Sequence, residues 1–491
     1  MWGGRDTRRA LKKGGPCIVY HLWQLIKKIW YEEKIPDEWT MSVIIPIHKK
    51  GDKLVCNNYR GISLLCVAYK VLSKFLESRI RPLAEKLIGE YQGGFRQSRS
   101  TTDQLFVVKQ ILEKCWEYNV DVHQIFVDFK QAYDSVDRVK LLNGLGELGI
   151  PTKLIRLIKA TMDKSASKVR VGKEATDIFQ TQSGLRQGDG LAPVLFNLSL
   201  ELVIRKLKIV TNSTLLTKST QLVAYADDIN IIARTEPDAR QIFLELDNAA
   251  REMGLSINEN KTKYMITTRK NLPTRQNKTF GDFNIENVTD FTYLGASLSN
   301  TNDEGREIQT RIMAANRTYF SLTPILTNKN VHRLSKIRLY KTTIRPVLCF
   351  GCETWTLTKK LEETIDIFER KILRRIYGPT QDANGWRIRY NHELYSLYDD
   401  IRASDYIKYL KLQWAGHVNR MNDERIPKKT FVGRASGQRP VGKPRRRWAD
   451  SVDEASIALL GAEDWRTKSL DRENFKRQTL EAKARLGLSR R

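Results

Sequence analysis

Two adjacent acids stand in the middle of an apolar run, LVAYADDINIIA, at residues 222–233. The flanks read as two strands and Asp227-Asp228 as the two-residue turn between them. Like charges a few ångströms apart repel, so carboxylates at a tight turn between buried strands need something to offset them. A divalent cation does this, and hard oxygen ligands suit Mg²⁺, with Mn²⁺ as the other candidate. A plain polar β-turn is the alternative for an Asp-Asp pair. The order Tyr225-Ala226-Asp227-Asp228 between two apolar strands favours the metal. A second short strand, Ile125–Val127 in QIFVDFKQAYD, also ends on an acid, Asp128. Side by side in one sheet, Asp128 and Asp227 would hold two metals roughly 3.5–4 Å apart, the arrangement used for in-line phosphoryl displacement.

The charge balance points to a polyanionic partner. The 491 residues carry 84 Lys+Arg against 56 Asp+Glu, a formal net charge of +28. Such a chain repels itself, and nucleic acid or an acidic membrane is the usual reason for it. No run reaches about 18 apolar residues, so no transmembrane helix is expected. No apolar stretch follows the basic N-terminus, so no secretory signal is read and an intracellular site, nucleus or cytoplasm, is expected. Nucleic acid is therefore preferred. Hydrophobic residues make up 41% of the chain, enough for real cores, which excludes wholesale disorder. Six scattered cysteines do not form a disulfide framework. Cys349 and Cys352 make one C-x-x-C, read as buried cysteines flanking a turn in preference to a metal site.

Periodicity places helices at about 21–31, 64–88, 139–149, 153–163, 191–207 and 239–253. Strands are expected at 43–47 and 125–127, on both sides of Asp227-Asp228, and as a hairpin within 167–184. Helices and strands mix without a regular βα repeat, which argues an α+β fold. After about residue 300 helical patterns dominate (307–322, 330–345, 361–376). Residues 401–491 hold 22 Lys+Arg against 11 Asp+Glu. Within them, residues 434–448 are rich in Pro, Gly and Arg and read as a loop.

Eight ordered landmarks resemble the polymerases of non-LTR (LINE-type) retrotransposons. They are PIHKKGD at 46–52, NNYRGISLL at 57–65, YQGGFRQSRSTTDQL at 91–105 and FVDFKQAYD at 126–134. SGLRQGDGLAPVLFN at 183–197, YADD at 225–228 and GLSINENKTK at 254–263 follow, and FTYLGASLS at 291–299 closes the block. Group II intron and telomerase enzymes share the two acidic motifs, but the other landmarks fit the retrotransposon branch better. The resemblance implies a right-hand polymerase: fingers, a palm with an antiparallel sheet, a helical thumb, and a basic, mostly helical C-terminal region. The implied divisions are an N-terminal extension (1–40), fingers and palm (41–300), thumb (301–380) and a nucleic-acid-binding C-terminal region (381–491).

The resemblance also implies roles. Asp128 and Asp227 match the metal ligands, with the Phe129 carbonyl completing one shell and Asp228 as the third, tuning acid. Tyr133 matches the aromatic that excludes a ribose 2′-OH and so selects dNTPs. Arg60, with Lys49 or Lys50, would hold the triphosphate, whose transition-state charge needs cations. Gln187 and Gly188 would face the nascent base pair, and Arg186 a template phosphate. Asp189 stands where a small residue or Cys is commoner, and its negative charge has no assigned effect. Lys261 is either the general acid for pyrophosphate or a plain surface lysine. Gly93, Gly94 and Arg96 resemble a template-contacting loop, and Phe291, Tyr293, Leu294 and Gly295 a primer-grip hairpin.

In the C-terminal region, Lys443, Arg445, Arg446 and Arg447 beside Trp448 read as a phosphate-tracking loop or a nuclear-localisation signal. Trp414, Trp448 and Trp465 are candidate core residues there. The expected partners are an RNA template, a DNA primer or target, and dNTPs. No Cys follows Cys352, so an endonuclease with a Cys/His zinc site is expected to be supplied elsewhere. The competing reading is an element protein that binds RNA or DNA without catalysis. Oligomeric state is left open.

Overall fold

The computed structural model describes residues 13–207, 222–270, 276–435, 442, 445–461 and 464–488. Helix α1 (Gly15–Glu32) precedes β1 (Met41–His48), which pairs antiparallel with β2 (Tyr59–Leu64). Helices α2 (Val67–Leu87) and α3 (Thr101–Glu117) lead to β3 (Val122–Val127). Helices α4 (Arg138–Glu147) and α5 (Thr152–Met162) bring the chain back to β4 (Ala166–Val171), which lies parallel to β1. Helix α6 (Ala192–Arg205), the hairpin β5 (Leu222–Tyr225) and β6 (Asp228–Ala233), and helix α7 (Glu236–Glu252) follow. Strands β7 (Lys263–Thr267), β8 (Lys278–Phe280) and β9 (Phe283–Asn287) complete a six-stranded sheet of order β8-β9-β7-β3-β6-β5.

This sheet positions the acids. All six residues of β3 are buried, because helices cover both faces. Ile125, Val127, Ile229 and Ile231 join the core formed with α6 and α7. Val122, Phe126 and Ile232 face the other way, onto Leu105, Val108 and Ile111 of α3. This is the period-two alternation of a strand. Asn230 and Gln124 lie buried between these layers and bond to each other at 3.0 Å, as buried amides require.

Beyond a hairpin of β10 (Asp290–Tyr293) and β11 (Ala296–Ser299), helices α8 (Glu304–Thr327) and α9 (Lys359–Tyr377) form a second core. That core runs on through Leu394 and Tyr398 to Ile407, past the residue-380 boundary expected from the sequence. Cys349 and Cys352 are buried in it as free thiols, as expected of a turn.

The last helices are α10 (Ala403–Arg420), α11 (Ile426–Val432), α12 (Trp448–Leu460) and α13 (Arg472–Leu488). Their core includes Trp448, Trp465 and Phe475, but also Phe106 of α3. The Phe106 ring meets Trp448 edge-on at 4.7 Å and Trp414 at 5.9 Å. The C-terminal region is thus packed onto α3. Lys114 of α3 sends its Nζ to the carbonyls of Thr430 (2.6 Å), Phe431 (2.7 Å) and Gly433, and so caps α11. Burial pushes the Lys114 ammonium down to about 8. Arg425 reaches Asp103 at the start of α3 at 2.6 Å. The N-terminal stretch is likewise tied in: Ile29 belongs to the main core, and Trp30 packs edge-on against Phe75 of α2 at 5.5 Å.

Candidate active site

The register of β3 against β6 pairs Val127 with Ile229, so Asp128 leaves its strand beside Asp228. The tight turn is Ala226-Asp227, because Tyr225 pairs with Asp228 and Asp228 opens β6. This corrects the expected Asp227-Asp228 turn by one residue, and Ala226 adopts φ 56°. A non-glycine residue there costs roughly 1–2 kcal/mol. Burial and then the Asp128 charge raise the Asp227 carboxyl above its usual range, against Arg60 and Lys261. Burial, Asp227 and Asp128 push Asp228 up to about 6. The mutual repulsion anticipated from the sequence is therefore present, and the donors are the hard oxygens that suit Mg²⁺. As they stand, no three acidic, His or Cys side chains among the described residues form a closed metal shell. Asp128 instead turns Oδ2 toward Lys261 Nζ at 3.4 Å and accepts from Asn258 Nδ2 at 3.2 Å.

Asn258 escaped the sequence reading. Its backbone N–H also donates to the Asp128 carbonyl at 2.7 Å, so one residue fixes both ends of the acid. Phe129 is buried and bridges to Ile257 in the same segment. The signal available was an amide three residues before Lys261 inside GLSINENKTK. Tyr133 stacks on Phe196 of α6 with ring centres 4.6 Å apart. Burial raises its phenol, and Asp227 adds to this while Arg60 opposes it. The phenol is thus within electrostatic reach of both Asp227 and Arg60. Arg60 is exposed on β2, and Lys49 is exposed at the end of β1. Both cations are felt by Asp134. Lys50 is exposed on the same turn.

Ser63 N of β2 donates to the Gln187 carbonyl at 2.7 Å. Gly188 has φ 121°, and a Cβ there would strike the Ser63 carbonyl. The close approach it permits is to the strand backbone. Asp189 accepts from Tyr69 Oη at 2.5 Å, from Ser73 Oγ and from Leu191 N at 3.1 Å. Its charge, unassigned from the sequence, ties α2 to the start of α6.

The family pattern described as reverse transcriptase (RNA-dependent DNA polymerase) matches residues 47–298, and that span contains all three acids. The chain belongs to the reverse transcriptase family. It is similar to the RNA-directed DNA polymerase of the Drosophila melanogaster mobile element jockey, 26% identical over 356 residues, covering 70% of this chain and 38% of that one. A chain named for the same activity in the Drosophila transposon X-element is 24% identical over 444 residues, 85% of this chain and 47% of that one. This reverse transcriptase therefore spans about half or less of those two relatives. A transposon-derived protein of Caenorhabditis elegans is 29% identical over 236 residues, 46% of this chain and 82% of that one. Among solved structures, a telomerase from Candida albicans with a fragment of telomeric RNA has a TM-score of 0.43 at 13% identity, covering 73% of this chain and 66% of that one.

Several expected nucleic-acid contacts of this reverse transcriptase lie elsewhere. Arg96 is buried, paired with Glu85 at 2.9 Å and bonded to the Gly89 carbonyl at 2.8 Å. Its guanidinium closes the loop and is not offered to a template. Gly93 and Gly94 are also buried, and the loop exposes Phe95, Gln97 and Ser98 instead. Arg186 turns inward: Nη2 donates to the Thr161 carbonyl at 3.2 Å and the group lies over the Tyr69 ring. In the β10–β11 hairpin, Phe291 stacks on Phe126 at 4.1 Å, and buried Tyr293 donates to the Val223 carbonyl at 3.3 Å. Leu294 and Gly295 form its left-handed tip, φ 46° and 85°, and Tyr293 lies close enough to feel Asp228.

The arginines of the 445–447 stretch are engaged within the molecule. Arg445 donates to the Thr301 and Asn302 carbonyls and lies over Trp116 at 4.5 Å. Arg446 bonds to the Leu357 carbonyl at 2.6 Å and to Glu454. Arg447 holds Glu117 of α3 at 3.0 Å. The expected phosphate-tracking loop is, for these three, an internal clasp. Lys443 lies outside the described residues.

Proposed function

We propose that this chain is the RNA-directed DNA polymerase of a non-LTR retrotransposon, extending a primer 3′-OH with dNTPs on an RNA template. The observation that carries this reading is the meeting of Asp128, Asp227 and Asp228 at the β3–β6 junction, inside the matched span. Asp128 and Asp227, with the Phe129 carbonyl and Asp228, would hold divalent cations. When bound, these acidify the attacking hydroxyl and offset the charge that develops on the phosphorus oxygens.

The chain's own groups do the rest. Arg60 on β2, which acts on Asp227, takes the triphosphate together with Lys49 or Lys50 from the turn after β1. Tyr133, stiffened by Phe196, lies under the sugar and leaves no room for a 2′-OH. Lys261 carries a proton on Nζ that can pass to the leaving pyrophosphate oxygen. Gln187 presents an amide beside the nascent pair. Primer contact falls to the β10–β11 hairpin, and template contact in the 91–105 loop to Phe95. Partners are RNA template, DNA primer or target and dNTPs, inside the cell. Among the described residues no helix is long and apolar enough to cross a membrane.

The test is primer extension on an RNA template with Mg²⁺. Wild type extends, and Asp227→Asn loses on the order of 10²–10³-fold or more. Equal extension by both would sink the reading, as would a wild type that binds RNA yet adds no nucleotide. Tyr133→Val is expected to relax the choice of dNTP over rNTP, read from the ratio of kcat/KM values. An unchanged ratio would remove its gate role.

A further inference from the structure

The acids sit on a turn with a left-handed residue, Ala226, and one buried amide is bonded to that residue at both its N–H and its carbonyl. Gln92 is fully buried. Its Oε1 accepts from Ala226 N at 2.7 Å and from Gly94 N at 2.8 Å, and its Nε2 donates to the Ala226 carbonyl at 3.2 Å. Both polar groups of the Ala226 backbone are thus taken by a single side chain from a different part of the chain. The surrounding main chain reinforces the contact. Ala224 N donates to the Tyr91 carbonyl at 2.9 Å and Gly93 N to the Ala224 carbonyl at 2.8 Å, a parallel bridge centred on Gln92 and Ala224. Gly94 lies so close that a Cβ there would strike Ala226 N. Asn197 of α6 donates to the Gly94 carbonyl at 2.8 Å, and Gln104 of α3 to the Tyr91 carbonyl at 3.2 Å.

Alanine does not favour φ 56°. A residue held in that region persists only where its surroundings over-determine it. Asp227 follows Ala226 directly and Asp228 follows Asp227. Any relaxation of Ala226 therefore swings both carboxylates relative to Asp128, which β3 and Asn258 hold in place.

We propose that Gln92 is a positioning residue: its carboxamide holds the Ala226 turn left-handed and so sets where Asp227 and Asp228 point. The effect on rate rests on the polymerase reading above, whereas the effect on the turn does not. Gln92→Met keeps the side-chain length and removes all three hydrogen bonds.

The full chain is tested as wild type, as Gln92→Met, and as Leu459→Ala, which thins the C-terminal core and serves as a stability control. Amide exchange at Ala226 needs no turnover: Gln92→Met is expected to exchange at least tenfold faster there than wild type and Leu459→Ala. Primer extension at a temperature where all three are folded should show kcat of Gln92→Met down about 10–100-fold. Its dNTP KM should move less than threefold, while Leu459→Ala stays within twofold of wild type in both. Unchanged exchange at Ala226 overturns the clamp. So does a kcat within twofold of wild type, or a loss that Leu459→Ala matches. A wild type that adds no nucleotide overturns the polymerase reading instead, and the exchange rates still decide the clamp.

Discussion

Asp128, Asp227 and Asp228 on one side and Arg445, Arg446 and Arg447 on the other are both runs of like charge, yet the fold treats them in opposite ways. The acids are gathered and only weakly compensated: burial and neighbouring carboxylates raise the pKa of Asp227 and of Asp228, and Lys261 at 3.4 Å from Asp128 is an exposed partner. The arginines are spread over three surfaces, and each finds a carbonyl or carboxylate of the same chain. Charge held without a partner marks a place where a ligand's charge completes the structure, whereas charge paired internally marks a joint. The +28 of the whole chain therefore does not say by itself which cations meet nucleic acid.

The largest expected effect tests the acidic side. Asp227→Asn should cost on the order of 10²–10³ in rate without lowering thermal stability, because it removes a repelled charge. A variant that is inactive because it melts earlier would break the contrast.

Next is a buried ion pair made elsewhere by the C-terminal region. Arg425→Ala leaves Asp103, only 4% exposed, without the partner it has at 2.6 Å. The expected loss is about 3 kcal/mol in urea unfolding, and a loss below about 1 kcal/mol would demote this joint to surface decoration.

A third test uses a buried acid that is structural. Burial and then Asp366 push Glu369 up to about 7, although Tyr340 Oη at 2.7 Å and Ala403 N at 2.8 Å donate to it. A raised carboxyl pKa means the native state holds the proton more tightly than the unfolded chain. Stability is thus fully present below about 4.5 and lost as pH rises through about 7, by roughly 3 kcal/mol. Melting curves across that window should flatten in Glu369→Gln, and parallel curves would refute the assignment.

The smallest effect is the sharpest for the comparison. Replacing Arg445, Arg446 and Arg447 together by Ala should change the slope of log K against log[salt] for RNA binding by less than about one. Three phosphate contacts would change it by about two to three.

The acidic centre was legible because strand periodicity and an adjacent acid pair are local signals, and Asp128 could be placed beside them only through the ordered landmarks. Tyr133 and Arg60 followed in the same way. Asn258 and Gln92 were not legible: an amide's role depends on which backbone groups the fold brings to it, and neither spacing nor composition records that. Arg96 and Arg186 misled for the complementary reason. An arginine in a glycine-rich motif looks the same whether it faces solvent or Glu85, and only burial distinguishes the two. The one-residue shift of the turn came from Ala226, whose left-handed backbone no propensity favours. The C-terminal arginines were misread because a Pro/Gly/Arg-rich stretch is written alike whether it is free or fastened to α3.

Helix α3 touches the acidic hairpin through the loop before it and the C-terminal helices along its outer side. Its residue Lys114 is bonded to three carbonyls of the 430–433 stretch, and Phe106 lies under Trp448. A copy of this gene interrupted before residue 400 would retain every polymerase landmark and still display a bare phenylalanine and a stranded lysine on its surface. Such a product would lose the packing and hydrogen bonds that cover α3, so an intact set of motifs does not by itself make a stable protein.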